Sequence, residues 1–372
     1  MPTLKEIVGL LDAWYPPRTA DAWDAPGLVC GDPQAPVRRV MFAVDPTIEV
    51  AREAAEWGAD LLVVHHPLFL KPVHGFPATT PKGRTLATLV AAGCALLTAH
   101  TNADHAVEGV SDAMARALGL TDVAPLAPHA FDQLDKLTVF VPAADADRVR
   151  AALADAGAGR LGDYAAASFS AAGEGRFRPL EGANPAIGAV GELEVVDEVR
   201  VEVVLSRQRR AAVVEAMLGV HPYEEPAYDV VELAPAAPPA TGAGRIGTVE
   251  EQTLQAFAAR VAEALPATAH GVRVAGDPDR TVRRVALCGG SGDFLLDDVL
   301  RTDADVYVTS DLRHHPAGEF LEKDGPALVD VAHWAAEWTW LPLVRARLAG
   351  AVGDTVETRV STRCTDPWTF RA

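Results

Sequence analysis

Three short segments carry the residue types that divalent-metal chemistry needs. His65 and His66 stand side by side where an apolar run ends, in Asp60-Leu-Leu-Val-Val-His-His-Pro67. His100-Thr-Asn-Ala-Asp104 follows a second such run, Cys94-Ala-Leu-Leu-Thr-Ala99. In Asp330-Val-Ala-His-Trp-Ala-Ala-Glu337, His333 and Glu337 are four residues apart. Adjacent histidines at a strand end can point to opposite sides, so one pair can serve two ions. An i,i+4 His and Glu share one helix face, about one turn apart. They can grip one ion, and the carboxylate can reach a second. Imidazole mixed with carboxylate suits zinc, iron, manganese or cobalt rather than calcium.

Each segment alone has a plainer reading. One of the paired histidines could cap a helix while the other is solvated. Asp104 could cap the helix that follows it, and His333 with Glu337 could be an exposed helical pair. Convergence changes the weighing. His65, His66, Asp104, His333 and Glu337 all sit at a strand end or a helix start, drawn from both ends of the chain.

The elements around these segments alternate. Helical periodicity over Thr3–Trp14 stops before Pro16-Pro17. Val37–Val44 predicts a strand, Pro46–Trp57 a helix closed by Gly58, and Ala59–Val64 a strand buried on both faces. Thr85–Ala92, Cys94–Ala99 and Ser111–Leu118 continue as helix, strand and helix. The pattern resumes with helices at Thr253–Leu265, Phe294–Arg301, Gly318–Glu322 and Trp334–Leu348. Its strands are Val282–Cys288, Asp305–Thr309, Ala327–Asp330 and Val356–Ser361. Such alternation implies a layered α/β architecture, in which ligands bind beyond the carboxyl ends of strands.

The middle of the chain differs. Strands at Leu137–Val141, Tyr164–Ala171, Val199–Ser206 and Tyr228–Leu233 combine with helices at Asp145–Ala156 and Arg209–Leu218. The order is β-α-β-β-α-β, a ferredoxin-like arrangement. Ala234–Gly244 follows as a proline- and glycine-rich connector. The expected organisation is a discontinuous, two-lobed α/β metal-binding domain (1–129 and 236–372) with an inserted ferredoxin-like domain (130–235). A His-His-Pro also follows the later strand, at His314-His315-Pro316, which hints at two related halves. Those two histidines could line the same cavity.

Composition narrows the class. Among 372 residues, 33 Lys and Arg against 51 Asp and Glu give a net charge of −18. That disfavours a general nucleic-acid binder, which must neutralise phosphates. No apolar stretch is long enough for a membrane helix, and the N-terminus lacks a signal-peptide pattern. Four scattered cysteines form no CxxC pair, which suits a reducing, cytoplasmic setting. Cys288-Gly-Gly-Ser-Gly292 reads as a tight βα turn or an anion cradle.

These stretches resemble the Nif-three-like dinuclear metal-centre family, often labelled GTP cyclohydrolase 1 type 2 homologues. The matching motifs are Trp23–Asp32, Val64–Phe69, His100–Asp104, Cys288–Gly292, Asp305–Thr309 with His314-His315, Asp330–Glu337 and Thr365–Trp368. By that resemblance His65, His66, Asp104, His333 and Glu337 are the metal ligands, with Glu337 the bridge between two divalent transition-metal ions. The resemblance also implies a ring-shaped homohexamer with the metal sites facing its interior. Gly175–Gly188 and His221–Pro226 are similar to the PII- and CutA-like insertion of longer members. This chain departs from the family pattern at Ala332 and Ser310, where glycine is usual.

Two functions follow as expectations. The first is a metal-dependent hydrolase acting on a nucleotide or another phosphorylated or heterocyclic metabolite. The alternative is a metal-handling or ligand-sensing protein without turnover. The residues single out neither a catalytic proton donor nor GTP.

Overall fold

Thr3 opens the first helix with a reciprocal cap. Its hydroxyl accepts from the Glu6 backbone N–H, and the Glu6 carboxylate accepts from the Thr3 N–H. The computed structural model describes residues 1–128, 133–162, 164–234 and 240–372. The expected boundaries near 129–130 and 235–236 therefore lie outside the described residues, as does His129. The chain begins with α1 (Leu4–Trp14), β1 (Gly27–Cys30), β2 (Arg39–Ala43), α2 (Ile48–Trp57) and β3 (Leu61–Val64). It continues through α3 (Pro81–Ala91), β4 (Ala95–Thr98), α4 (Thr101–His105), α5 (Val110–Ala117) and β5 (Thr121–Pro128). Next come β6 (Leu134–Pro142), α6 (Ala146–Asp155), β7 (Ser168–Phe177), β8 (Glu194–Ser206), α7 (Arg210–Val220) and β9 (Tyr228–Glu232). Then follow β10 (Gly242–Thr253), α8 (Leu254–Ala264), β11 (Val272–Ala275), β12 (Thr281–Ser291), α9 (Leu296–Val299) and β13 (Val306–Ser310). The chain closes with α10 (His314–Glu322), β14 (Ala327–Val331), α11 (His333–Trp338), α12 (Trp340–Val352) and β15 (Glu357–Val360).

The architecture is mixed α/β with three sheets. Met1–Pro128 and Ala240–Ala372 together form one compact unit, and the segment between them forms another. The first unit holds a five-stranded sheet ordered β1-β4-β3-β2-β15 and a six-stranded sheet ordered β11-β14-β13-β12-β10-β5. In the first sheet β2, β3 and β4 run parallel and β1 lies antiparallel at the edge. In the second, β12, β13 and β14 run parallel and β11 lies antiparallel at the edge. Each set is preceded by a threonine-capped helix, α1 or α8. The two halves thus share a topology, as the repeated His-His-Pro hints.

Burial explains why these strands form. Every residue of β3, β4, β13 and β14 is buried, the condition that favours unbroken Val, Leu and Ala runs in parallel sheets. Thr47 caps α2, whose end is fixed by Gly58 at φ +73°. One large core joins residues of both sheets, including Val63, Leu97, Val308, Val329 and Trp340.

The second unit is a four-stranded antiparallel sheet ordered β7-β8-β6-β9, with elements in the order β-α-β-β-α-β. Leu137, Val139 and Val141 alternate along β6 and pack with Val149 and Leu153 of α6 and Val213 and Met217 of α7.

Several elements differ from the sequence reading. Trp334–Leu348 is two helices, because Pro342 lacks an N–H and crowds the carbonyl four residues back, at Trp338. The helix expected from Gly318 begins at His314, and the one expected from Thr85 begins at Pro81. The connector reading of Ala234–Gly244 runs into β10, which starts at Gly242. β7 extends to Phe177 through Gly173 and Gly175, and β8 starts earlier than expected, at Glu194.

Candidate metal centre

The parallel strands deliver the polar residues to one place. His65 and His66 leave the end of β3, and Asp45 stands two residues past β2. His100 stands two residues past β4, where α4 begins. From the other sheet, Asp311 follows β13, and β14 leads through Ala332 into α11, which carries His333 and Glu337. Ala332 adopts an extended conformation (φ −63°, ψ 131°), so alanine serves where the family usually has glycine.

All five expected residues meet. His333 Nε2 lies 2.7 Å from Glu337 Oε1, and His66 Nε2 lies 3.1 Å from Glu337 Oε2. His65 Nε2 is 3.4 Å from Glu337 Oε1 and 3.6 Å from Asp104 Oδ1. The His66 and His333 Nε2 atoms face each other at 3.2 Å. Asp104 belongs to the short helix α4 rather than capping a later one.

Each imidazole is held by its other nitrogen. His65 Nδ1 contacts the Ala99 carbonyl at 2.9 Å, and His66 Nδ1 contacts Asp45 Oδ1 at 2.7 Å. His333 Nδ1 contacts Asp311 Oδ2 at 2.6 Å, and His100 Nδ1 contacts Asp24 Oδ1 at 2.8 Å. Donation from Nδ1–H to these oxygens fixes each ring's orientation and, in a neutral ring, leaves the lone pair on Nε2, the arrangement that metal-ligating histidines use. Asp45 is held in turn by the Thr365 hydroxyl, which donates to Oδ2. Asp24 also accepts from the Thr101 backbone N–H at 3.0 Å. Asn102 donates to the Tyr15 carbonyl at 2.7 Å, while the Trp340 indole N–H donates to the Tyr15 hydroxyl at 3.2 Å. That brace backs the buried His65 ring, 5.7 Å from Trp340.

The electrostatics are those of a crowded, buried cluster. Burial alone would raise the Glu337 carboxyl, but His333, His66 and His65 outweigh it and hold it well below the usual range. Burial, with the Glu337 charge nearby, pushes Asp104 well up. The His66 ring rises to about 10 against the opposing effect of burial, through Glu337 and Asp45. Glu337 lifts His333 to about 11. Burial lowers His65, which keeps that ring neutral. Three buried atoms, His65 Nε2, Asp104 Oδ1 and Glu337 Oε2, have no hydrogen bond of acceptable geometry. Unpaired buried polar atoms are costly, and three aimed at one another fit the donor set of a bound cation. His66, His333 and Glu337 offer ligand atoms within 4.8 Å of one another, as do His65, His66 and His100.

Some contributors carry no assigned role in the sequence reading, which left the place of His100 open. His100 joins the cluster, and Asp24, Asp45 and Asp311 orient its rings. Position after a strand was the available signal for Asp45 and Asp311. Their pairing with His66 and His333, 21 and 22 residues further on, was not visible. Gly290 is another such residue. It sits at φ +74°, and a Cβ there would come within 2.5 Å of Glu337 Oε1. Cys288–Ser291 is therefore the irregular end of β12 rather than a tight turn, and its Gly290 clears room for Glu337. His314 and His315 are exposed at the start of α10 and line neither cavity that reaches His66. Those cavities measure about 590 Å3, with Arg52, Lys82 and Arg84 in the lining, and about 270 Å3, with His270, His333 and Trp368.

The chain matches known proteins over nearly its whole length. Residues 2–367 match the Duf34/NIF3 (NGG1p interacting factor 3) family. A Mycobacterium tuberculosis protein named GTP cyclohydrolase 1 type 2 homolog is 50% identical over 368 residues, covering 98% of this chain and 96% of that one. A Bacillus subtilis protein of the same name is 40% identical over 372 residues, covering 98% of each. The crystal structure of a Bacillus cereus protein related to NIF3 superposes with a TM-score of 0.68 at 38% identity. It covers 100% of this chain and 99% of that one.

Proposed function

The chain belongs to the Duf34/NIF3 family, and on that premise we propose that it is a two-metal hydrolase acting on a nucleotide or related phosphorylated metabolite. The observation that carries the metal reading is the trio of buried atoms on His65, Asp104 and Glu337 that crowd together without a hydrogen bond of acceptable geometry. In this reading His66, His333 and Glu337 hold one divalent transition-metal ion. His65 and Asp104 hold the other, and the Glu337 carboxylate is shared. Zinc, iron, manganese and cobalt all suit such donors.

When bound, such a pair supplies Lewis acidity and activates water near neutral pH. The chain's own residues do the positioning. Asp45, Asp311 and the Ala99 carbonyl aim three Nε2 atoms inward, and the buried Glu337 charge offsets part of the positive charge gathered there.

Support for an anionic substrate comes from the larger cavity at His66. Arg52, Lys82 and Arg84 line it, and none has an ion pair among the described residues. In a chain of net charge −18, three cations against Asp45 and Glu49 in the same lining leave this cavity with a positive balance, which favours a phosphate-bearing ligand. A purine nucleotide of that class is also what the homologues' printed name, GTP cyclohydrolase 1 type 2 homolog, mentions for those proteins.

The test is turnover of a nucleotide and phosphomonoester panel by protein of measured metal content. Turnover should vanish on chelation and return with metal. Lys82→Gln with Arg84→Gln should raise KM about tenfold or more, the scale of one lost charge-assisted contact, with metal content unchanged. An absence of turnover across the panel by fully loaded protein would replace hydrolysis with metal handling or ligand sensing.

A further inference from the structure

Two motifs of the second unit, far apart in sequence, meet around one cavity of about 540 Å3. One is Gly175–Gly188, the end of β7 and the loop after it. The other is His221–Pro226, the loop after α7. The volume falls within the range of small-molecule sites, about 300–1,000 Å3.

The aromatic part of the lining comes from Phe140, Phe177 and Tyr223, the last two edge to face at 5.4 Å. Among these rings Glu198 of β8 also lines the cavity, although it is 9% exposed. The Tyr223 hydroxyl donates to its Oε1 at 2.9 Å, and no second donor reaches this carboxylate among the described residues. The carboxylate lies against the backbone of Gly175, where a Cβ would come within 2.2 Å of Oε2. The glycine of the motif therefore makes the seat for the charge.

The Tyr223 loop is itself fixed. His221 Nε2–H donates to the Phe140 carbonyl at 3.0 Å, and its Nδ1 accepts from the Tyr223 backbone N–H at 3.0 Å. Glu224 accepts from the Asn184 N–H at 3.1 Å, which ties the two motifs together. Arg178 also lines the cavity and has no ion pair among the described residues. Leu180 and Ile187 supply apolar surface.

A half-filled buried carboxylate, an unpaired guanidinium and apolar surface call for a ligand with both charges and an apolar body. We propose that this cavity binds a free α-amino acid with a large apolar or aromatic side chain. The ammonium group meets Glu198 within the aromatic lining, a setting that favours cations twice over. The carboxylate meets Arg178, and the side chain packs on Phe177, Leu180 and Ile187. A polyphosphate suits the cavity poorly, since Glu198, Glu224 and Glu225 outnumber Arg176 and Arg178 in the lining. The site lies wholly within the second unit and does not depend on the metal reading.

The experiment is calorimetric titration of the full-length protein with L-phenylalanine, phenethylamine, 3-phenylpropionate and ATP. L-Phenylalanine should bind, and each single-charge analogue should bind about tenfold or more weaker. Glu198→Gln should weaken the amine-bearing probes and leave 3-phenylpropionate unchanged. Arg178→Gln should do the reverse. Because Glu198 is buried, the exposed Arg178→Gln keeps the proposal testable if the first variant misfolds. No heat with L-phenylalanine at millimolar concentration would overturn the proposal. So would unchanged L-phenylalanine affinity in Arg178→Gln, or tighter binding of ATP than of L-phenylalanine.

Discussion

Glu337→Ala should yield a folded protein nearly free of transition metal. The Glu337 side chain is 3% exposed and lies within 3.4 Å of a ring nitrogen of His65, His66 and His333. Removing it deletes the charge that would offset part of that of two dications and leaves the imidazoles without their common partner. Glu337→Gln is the sharper variant, since it keeps size and one carbonyl oxygen. It should retain at least one ion, while hydrolytic turnover falls by about two orders of magnitude or more, the scale of lost geometry at a reacting centre. Metal quantification on both variants, with circular dichroism for the fold, checks this. Full metal content in Glu337→Ala would remove Glu337 from the ligand set.

Asp45→Ala and Asp311→Ala should each weaken metal binding about 10- to 100-fold, the usual cost of losing the group that orients a ligating histidine. Neither aspartate is proposed to touch metal. Each accepts a hydrogen bond from the Nδ1–H of a ring, His66 at 2.7 Å and His333 at 2.6 Å. Without that oxygen the ring can rotate or adopt the wrong tautomer. Titration against a competing chelator measures the change. Affinity equal to that of the parent in both variants would show that packing alone fixes these rings.

Much of this site was legible because its histidines sit where apolar strands end. The four-residue runs of β3 and β4 are buried throughout, so an unbroken apolar pattern marked them, and the histidines just beyond stood out. The i,i+4 spacing of His333 and Glu337 was equally plain. Other parts were hidden for physical reasons. β5 contains Pro125 and Pro128 and lies at a sheet edge, where missing N–H groups are tolerated, so its composition reads as loop. β10 opens Gly-Ala-Gly and was read with the connector. Asp24 and His100 lie 76 residues apart and meet only through the fold. Gly290 gave no sign that its missing side chain makes room for Glu337.

The most direct test counts metal in the unaltered protein. Protein purified without chelators and desalted gently should carry close to two transition-metal ions per chain, by elemental analysis against amino-acid analysis. His65 with Asp104 and His66 with His333 gather around the Glu337 carboxylate, and in the proposed centre they would be the two ligand sets. A value of one, or none after reconstitution with zinc, iron, manganese and cobalt in turn, would contradict the two-metal centre.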